Sequence, residues 1–296
     1  MRYRENIIIL TIFLFLLSAS FARAATFNLI NVPGAVYTFP HDINNRGEVV
    51  GYFIYTDGEK HGFLFSGGNF TAIDFPNALW TEAWGINDAG EIVGGYQDLE
   101  TGVIHGFLKS KGKFLTIDYP GARSTKAVSI NSDGQIVGFY DQANSFLLSE
   151  GVFSKVAVPG ADLTIAQGIN DSGEIVGLWR KGRVTNIFRF TQNKFQRPRV
   201  PSYVKESSAY GIDNRGQIIG VYIDREGLGR GFLLSGHHFV SLYLPSTMAG
   251  ISVFGLNDQG AIVGIVCEQG NCNGFMLSVS IPSTRTARKP AYSLRY

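Results

Sequence analysis

The stretch GINDAGEIVGGY, Gly85 to Tyr96, returns five more times in altered spelling along the 296-residue chain. Each copy has an Asn or Asp, a glycine three residues later and a second glycine four residues after the first. The first glycines stand 39 to 44 residues apart, at Gly47, Gly90, Gly134, Gly173, Gly216 and Gly260. A repeat of roughly 40 to 45 residues is typical of propeller blades, so a β-propeller is the first architecture to test.

Each copy contains a tight turn between two strands. An Asn or Asp at the first turn position can accept hydrogen bonds from backbone amides ahead of it, and the glycine at the fourth position takes a positive φ. We predict that these six glycines are structural turn residues together with Asn44, Asn87, Asn131, Asn170, Asp213 and Asn257. Their spacing lacks the dense acidic pattern of a calcium loop, so we predict no metal site and no cofactor there.

The rest of each unit predicts three further strands. In the second unit these are EIVGGY, then HGFLKS, then FLTIDY after the turn KGK, with Pro120 as the end of the last one. The adjacent apolar residues Ile92 and Val93 point to opposite faces of a strand, so both faces must be covered, as in a sheet packed between similar sheets. Four short strands in about 43 residues match one propeller blade.

The two ends of the repeat region predict how the ring closes. An aromatic residue starts the apolar run of the third strand in every unit. A second aromatic follows it by seven residues in the first five units, whereas Pro282 stands seven residues after Phe275. The last unit therefore lacks its fourth strand, whereas Phe27 stands six residues before Pro33 with the spacing of a spare fourth strand. We predict an all-β, six-bladed propeller over residues 26–281, closed by the N-terminal strand in the last blade. A linear solenoid is the alternative, although it would need capping segments.

The combination of GIN-x-x-G, HGFL and F-x-x-I-D-x-P-G-A resembles the extracellular HAF-repeat family over nearly the whole region from Phe27 to Leu277. The histidine of that motif appears as His61 and His105. The other four units depart from it and have Asn144, Asn186, Arg230 and Asn273 at or beside this position. The resemblance implies an exported repeat protein and implies no activity.

The N-terminal residues have the plan of a secretory signal peptide. Arg2 and Arg4 precede the apolar run Ile7–Ala19, and Ala22–Ala24 supplies a small-x-small cleavage signal. We predict a signal peptide over residues 1–24, cleavage near Ala24 and a secreted or periplasmic protein with no membrane span after cleavage. An uncleaved anchor is the alternative, but the run is shorter than the ~18 to 20 residues that a span needs.

Charge and cysteine content add further expectations. The net charge of +2 is too small to indicate nucleic-acid binding, and much of it lies in residues 282–296, which we expect to be a flexible basic tail. Cys267 and Cys272 are predicted to form a disulfide across a hairpin in an oxidising compartment. We expect a monomer whose partner is a glycan or a cell-envelope component.

Binding residues tend to lie on variable loops carried by a rigid scaffold. We therefore place the binding site among the loops between second and third strands and the crossings between blades, at the end of the propeller opposite the Asn turns. The candidate ligand-binding residues there are His61, His105, Trp80, Trp84, Asp57, Asp98, Asp224 and Arg225. Each candidate has a structural alternative. Two histidines suggest a metal ligand or a general base, and the alternative is that each caps its own strand or bonds a neighbouring blade. For the tryptophans the two interpretations are stacking on a sugar and packing between blades, and for the charged residues the alternative is a solvated loop charge.

Two functional hypotheses follow. The first is a secreted, non-enzymatic propeller that binds a ligand or partner on its variable loops. The second is a propeller lyase or glycoside-cleaving enzyme with an acidic or histidine site at the channel mouth. Asp74 and Asp118 form a repeated pair, for which we predict a structural role at the turn before proline. The sequence contains no G-x-S-x-G elbow, no phosphate-binding Gly-Lys-Ser/Thr and no H-E-x-x-H motif, and we predict no catalytic residues.

Overall fold

The computed structural model describes residues 25–242, 251–268 and 271–279. The predicted signal peptide and the predicted tail lie outside the described residues. Within these ranges the chain forms 24 strands, arranged as six four-stranded antiparallel sheets around a ring. The prediction of a six-bladed all-β propeller is confirmed.

Strand β1 is Ala25–Ile30, and the following strands are grouped by blade. Blade one contains β2 Tyr37–Ile43, β3 Val49–Ile54, β4 Lys60–Ser66 and β5 Asn69–Ile73. Blade two contains β6 Ala78–Ile86, β7 Ile92–Asp98, β8 Ile104–Ser110 and β9 Lys113–Ile117. Blade three contains β10 Thr125–Ile130, β11 Ile136–Tyr140, β12 Asn144–Ser149 and β13 Val152–Val156. Blade four contains β14 Leu163–Ile169, β15 Ile175–Lys181, β16 Val184–Thr191 and β17 Lys194–Gln196. Blade five contains β18 Glu206–Ile212, β19 Ile218–Ile223, β20 Gly229–Ser235 and β21 His238–Leu242, and blade six contains β22 Ile251–Leu256, β23 Ile262–Glu268 and β24 Asn271–Val279.

The N-terminal strand closes the ring. Strand β1 pairs antiparallel with β24, and the sheet order is β1-β24-β23-β22. Phe27 stacks on Phe275 with 5.2 Å between ring centroids, in the place that the fourth-strand aromatic takes in the other blades. This arrangement confirms the predicted closure, and the linear solenoid is wrong because the head and the tail of the repeat region share one sheet.

The first strand of each blade is the innermost, since these six strands contact one another in a ring around a central channel. The Asn turns and the turns between third and fourth strands lie at one end of the propeller, which we call the turn face. The loops between second and third strands and the crossings between blades lie at the other end, the loop face. This geometry follows from the antiparallel order of strands in every blade.

The core lies between the blades. The third-strand phenylalanines are fully buried: Phe63, Phe107, Phe146, Phe188, Phe232 and Phe275. Each sits opposite the second glycine of the repeat, as Phe107 does with Gly94. A Cβ on Gly94 would lie 2.0 Å from the carbonyl oxygen of Glu82 and 2.6 Å from the Phe107 ring, so only glycine lets the inner strand and the ring pack this closely.

One predicted boundary is wrong. The fourth strand of blade two ends at Ile117, two residues before Tyr119. The Tyr119 ring stacks on Tyr140 of blade three with 3.7 Å between centroids, so this residue belongs to the crossing between blades.

The turn residues behave as predicted and also connect the blades. The six turn glycines have φ between 70° and 81°, and each turn Asn or Asp accepts a hydrogen bond from a backbone amide ahead of it. In addition, Asn44 donates its side-chain amide to the carbonyl of Asn87 in the next blade at 3.1 Å. Four further links of this kind lead from Asn87, Asn131, Asn170 and Asn257. Asp213 has no amide to donate, so the ring of hydrogen bonds has five links.

Blade six contains the predicted disulfide. Cys267 and Cys272 are directly opposite each other in β23 and β24 and are bonded. Within residues 25–242, 251–268 and 271–279 we find no helix of the length and apolarity needed to cross a membrane.

Candidate functional site

A cavity of about 90 Å³ occupies the turn-face end of the central channel. Every inner strand has a β-bulge three residues before its turn Asn or Asp. A bulge leaves one residue unpaired and re-aims its side chain. The six bulged residues all line the cavity: His41, Trp84, Val128, Gln167, Tyr210 and Phe254.

The repeat varies at the bulged residue, whereas the residue next to the turn is nearly constant. The residue before the turn is Ile in five blades and Leu in the sixth, while the bulged residue differs in every blade. The scaffold therefore places few demands on the bulged residue. Four of the six are aromatic and adjacent around the ring, and we call them the aromatic arc: Trp84, His41, Phe254 and Tyr210. The ring centroids of neighbouring members lie 4.2, 5.1 and 5.2 Å apart.

Asp42 follows the bulge in blade one, at a position that is glycine in four other blades. Glycine is favoured there because a Cβ would lie 2.6 to 2.9 Å from the nearest atom of the neighbouring blade's backbone, as at Gly85 and Gly255. The Asp42 carboxylate instead accepts backbone N–H groups of Ile43 at 2.9 Å and Ile86 of blade two at 3.0 Å. Asp42 thus bridges two inner strands inside the channel.

Burial sets the protonation of this part of the cavity. It raises the pKa of Asp42 to about 7, although the N–H groups of Ile86 and Ile43 act in the opposite direction. It also lowers the pKa of His41 to about 4, so this imidazole is neutral at neutral pH. The cavity therefore contains an uncharged histidine beside a carboxyl group that ionises near neutral pH.

Alternating amide and carboxylate side chains form the rim of the cavity. Asn45 donates to Asp88 and to Asp258, each at 2.8 Å. Asn214 donates to Asp171 at 2.9 Å and to Asp258 at 3.0 Å. None of the described residues that line the cavity is Lys or Arg. No group of three or more His, Cys, Asp or Glu is placed to hold a metal ion within the described part of the chain.

A second polar cluster lies further along the inner strands. Glu82 is 4% exposed and bonds to Lys60 of blade one at 2.6 Å and to Lys126 of blade three at 2.7 Å. Burial alone would raise the pKa of Glu82, but the two ammonium groups hold it below its usual value. Both ammonium groups lie about 5 Å from the ring centre of Trp80. This cluster connects three consecutive blades.

The two predicted histidines each pair with an aspartate of their own blade. His61 Nδ1 is 2.9 Å from Asp74, and His105 Nδ1 is 2.9 Å from Asp118. In blade six, Asn31 and Asn273 occupy the equivalent positions and bond at 3.0 Å. The predicted role of the aspartates at the turn before proline is therefore corrected: their partner is the third-strand histidine. The repetition in three blades indicates a cross-strand structural contact.

The structure does not bring the other candidates together in one cavity. Trp84 alone of the eight lines the turn-face cavity; its indole N–H donates to Glu82 at 3.1 Å. Trp80 donates to Gln97 at 2.6 Å. Asp57 and Asp98 accept backbone amides within their own loops, Asp224 pairs with Arg230, and Arg225 donates to the carbonyl of Ser202. Ligand binding at the loop face stays a prediction.

Sequence reasoning missed most of the cavity. His41, Asp42, Gln167, Tyr210 and Phe254 were not candidates, because no known motif contains them. A signal was present nonetheless: when the six units are aligned on the turn Asn or Asp, the position three residues earlier varies in every copy. Variation inside an otherwise regular inner strand marks the residues that face the channel.

Comparison with known proteins supports the fold. No protein-family model and no curated protein matches the chain. AofleA from Arthrobotrys oligospora is 11% identical with a TM-score of 0.55, covering 86% of each chain. The β-propeller domain of the Trilobed protease from Pyrococcus furiosus is 14% identical with a TM-score of 0.52, covering 82% of this chain and 81% of that one. The gluconolactonase XC5397 from Xanthomonas campestris is 11% identical with a TM-score of 0.51, covering 88% and 90%. At these identities the similarity shows the propeller fold alone.

Proposed function

We propose that the protein is an exported, non-enzymatic propeller that binds a saccharide unit in the turn-face cavity. One observation carries the proposal: the bulged residue differs in all six inner strands, and all six of these side chains line one cavity. A residue that the fold leaves free and that faces a cavity is available for binding.

The chemistry of the lining fits a sugar. Binding pockets combine aromatic and apolar walls with a few placed polar groups. A sugar ring has a C–H face that packs on aromatic rings and hydroxyls that hydrogen-bond to planar amides and carboxylates. The aromatic arc provides the first kind of surface, and Gln167 with the Asn and Asp side chains of the rim provides the second.

Export and family membership are parts of the same proposal. The predicted N-terminal signal peptide supports export, and the bond between Cys267 and Cys272 fits an oxidising compartment. The repeat motif supports membership of the HAF-repeat family. A ligand in the cell envelope or outside the cell follows from this location.

A glycan array on the exported chain, followed by calorimetric titration of its hits, tests the proposal. Tyr210→Ala removes one member of the aromatic arc and should weaken binding by about tenfold. Tyr203→Ala is the matched control, because Tyr203 is an exposed tyrosine outside the cavity, and it should leave affinity unchanged.

Equal saccharide affinities of wild type and Tyr210→Ala would place the binding site outside the turn-face cavity. A loss of saccharide affinity in Trp80→Ala would then favour a site on the loop face. The same titrations should be assayed for new reducing or unsaturated sugar ends. Turnover of any saccharide would replace binding with the lyase or glycosidase alternative.

A further inference from the structure

The ionisable side chains that line the turn-face cavity are acidic, apart from His41. Asp42 lies inside it, and Asp88, Asp171 and Asp258 form part of its rim. The lining has no Lys or Arg among the described residues, and His41 is neutral at pH 7 because burial lowers its pKa. The ammonium group of Lys126 lies 5.4 Å from the ring centre of Trp84, outside the lining, and is paired with Glu82. Carboxylates around a partly enclosed space of low dielectric focus a negative potential there.

The aromatic arc adds to this potential. The faces of aromatic rings carry partial negative charge and attract cations, most strongly for Trp and Tyr. Trp84, His41, Phe254 and Tyr210 are each only partly buried, so ring surface remains open towards the channel. Protein sites that recognise organic ammonium groups are built from such rings. A nearby carboxylate adds a direct charge attraction to the ammonium group.

Among the acidic residues of the cavity, Asp42 departs most clearly from the repeat pattern. It departs from the glycine that the inner strand uses at this position in four blades, and its carboxylate is enclosed by the channel. Each oxygen accepts one backbone N–H, and a carboxylate can accept about four hydrogen bonds. Acceptor capacity therefore remains for a donor that enters the cavity.

We infer that the saccharide unit bound in this cavity carries a protonated amine, as an unacetylated amino sugar does, with the ammonium group between Asp42 and the aromatic arc. This inference rests on the proposed saccharide function and names the ligand class. A cavity of about 90 Å³ accepts the amine-bearing edge of one sugar ring while the rim contacts its hydroxyls. The amide and carboxylate rim favours a polyhydroxyl ligand over the apolar stem of a lysine side chain.

The test compares glucosamine oligosaccharides with their N-acetylated counterparts of equal length, by titration calorimetry at pH 7 and low salt. The free-amine series should bind about tenfold more tightly. Asp42→Asn keeps an acceptor oxygen and removes the charge, so it should abolish this preference and leave the acetylated series unchanged. Asp133→Asn is the matched control: it removes an exposed turn-face carboxylate outside the cavity and should preserve the preference.

The outcomes distinguish failure of the amine inference from failure of the proposed saccharide binding. Equal affinities of wild type for the two series would overturn the amine inference and leave saccharide binding standing. Absence of binding to every saccharide would overturn the proposed function itself. Tighter binding of a lysine peptide than of an amino sugar of equal charge would overturn the choice of ligand source. Should Asp42→Asn fail to fold by circular dichroism, the wild-type comparison of the two series decides alone.

Discussion

Replacing Asp213 with Asn should complete the ring of hydrogen bonds around the channel. The five existing links join a turn-asparagine amide to the carbonyl of the next turn residue at 3.0 to 3.1 Å. Asp213 is buried and cannot donate to the carbonyl of Asn257. Its Oδ1 accepts the backbone amides of Arg215 and Gln217, and the asparagine Oδ1 preserves both contacts.

The expected gain is about 1 kcal/mol. A new buried hydrogen bond contributes ~1 kcal/mol net. Loss of the ion pair with Arg215 should cost less than this gain, because the Arg215 side chain is 45% exposed and stays solvated, although the Asp213 side chain is 0% exposed. Burial raises the pKa of Asp213, so the folded state binds this proton more tightly than the unfolded chain does. The contribution of Asp213 to wild-type stability therefore falls as pH rises above about 4, and the benefit of Asn should be larger at pH 8 than at pH 4.

Thermal unfolding followed by circular dichroism at pH 8 should show a Tm higher by about 2 to 4 °C. Asn131→Asp is the mirror control: it removes one link to Asn170 next to the neutral Gln135, and should lower the Tm. A Tm for Asp213→Asn that is unchanged or lower at pH 8, with Asn131→Asp also neutral, would refute the stabilising role of the ring.

Three further predictions test the packing at the repeat glycines, the closure of the ring and the burial of the channel residues. In chemical unfolding, Gly138→Ala should lower the free energy of unfolding by about 3 kcal/mol, because the new Cβ would lie 2.1 Å from the carbonyl oxygen of Lys126. Gly134→Ala should cost about 1 kcal/mol, because Gly134 has a φ of 75° but no atom lies within 4 Å of the new Cβ. The reverse order of the two would disprove the packing argument. Deleting residues 25–30 should expose blade six to limited proteolysis, and resistance equal to wild type would contradict ring closure. Between about pH 4 and 6.5, the free energy of unfolding of Asp42→Asn should rise relative to that of wild type. The lowered pKa of His41 favours this rise in both proteins, and the raised pKa of Asp42 opposes it in wild type alone. A difference between variant and wild type that stays flat or falls over this range would show that the pKa of Asp42 is not raised by burial.

In the inner strands, local sequence patterns predict the turns but not the contacts between blades. The turn at Asn87 and Gly90 was predicted because its chemistry is local: a side-chain oxygen accepts amides two and four residues ahead, and glycine tolerates positive φ. The same asparagine also donates to Asn131 in the next blade. That second role depends on a residue 44 positions away, so local turn chemistry does not reveal it.

For the candidate site, sequence reasoning predicted little of what the structure shows. Loop variability directed attention to the loop face, and His61 and His105 were natural candidates by residue type. The structure pairs each with an aspartate of its own blade and puts the aromatic arc at the other end of the channel. The arc comes from four separate blades, and each member is an ordinary residue within its own unit.

The sequence by itself determined the number of blades, the turns, the disulfide and the closure by β1, because each follows from spacing repeated at a fixed period. Only the tertiary structure decided which side chains meet. The β-bulge aims one residue per blade into the channel, and the ring brings residues as distant as His41 and Phe254 within 5.1 Å. The physical reason is that the repeat pattern records what every blade needs to fold, whereas the bulged side chains that line the cavity are residues in which the blades differ.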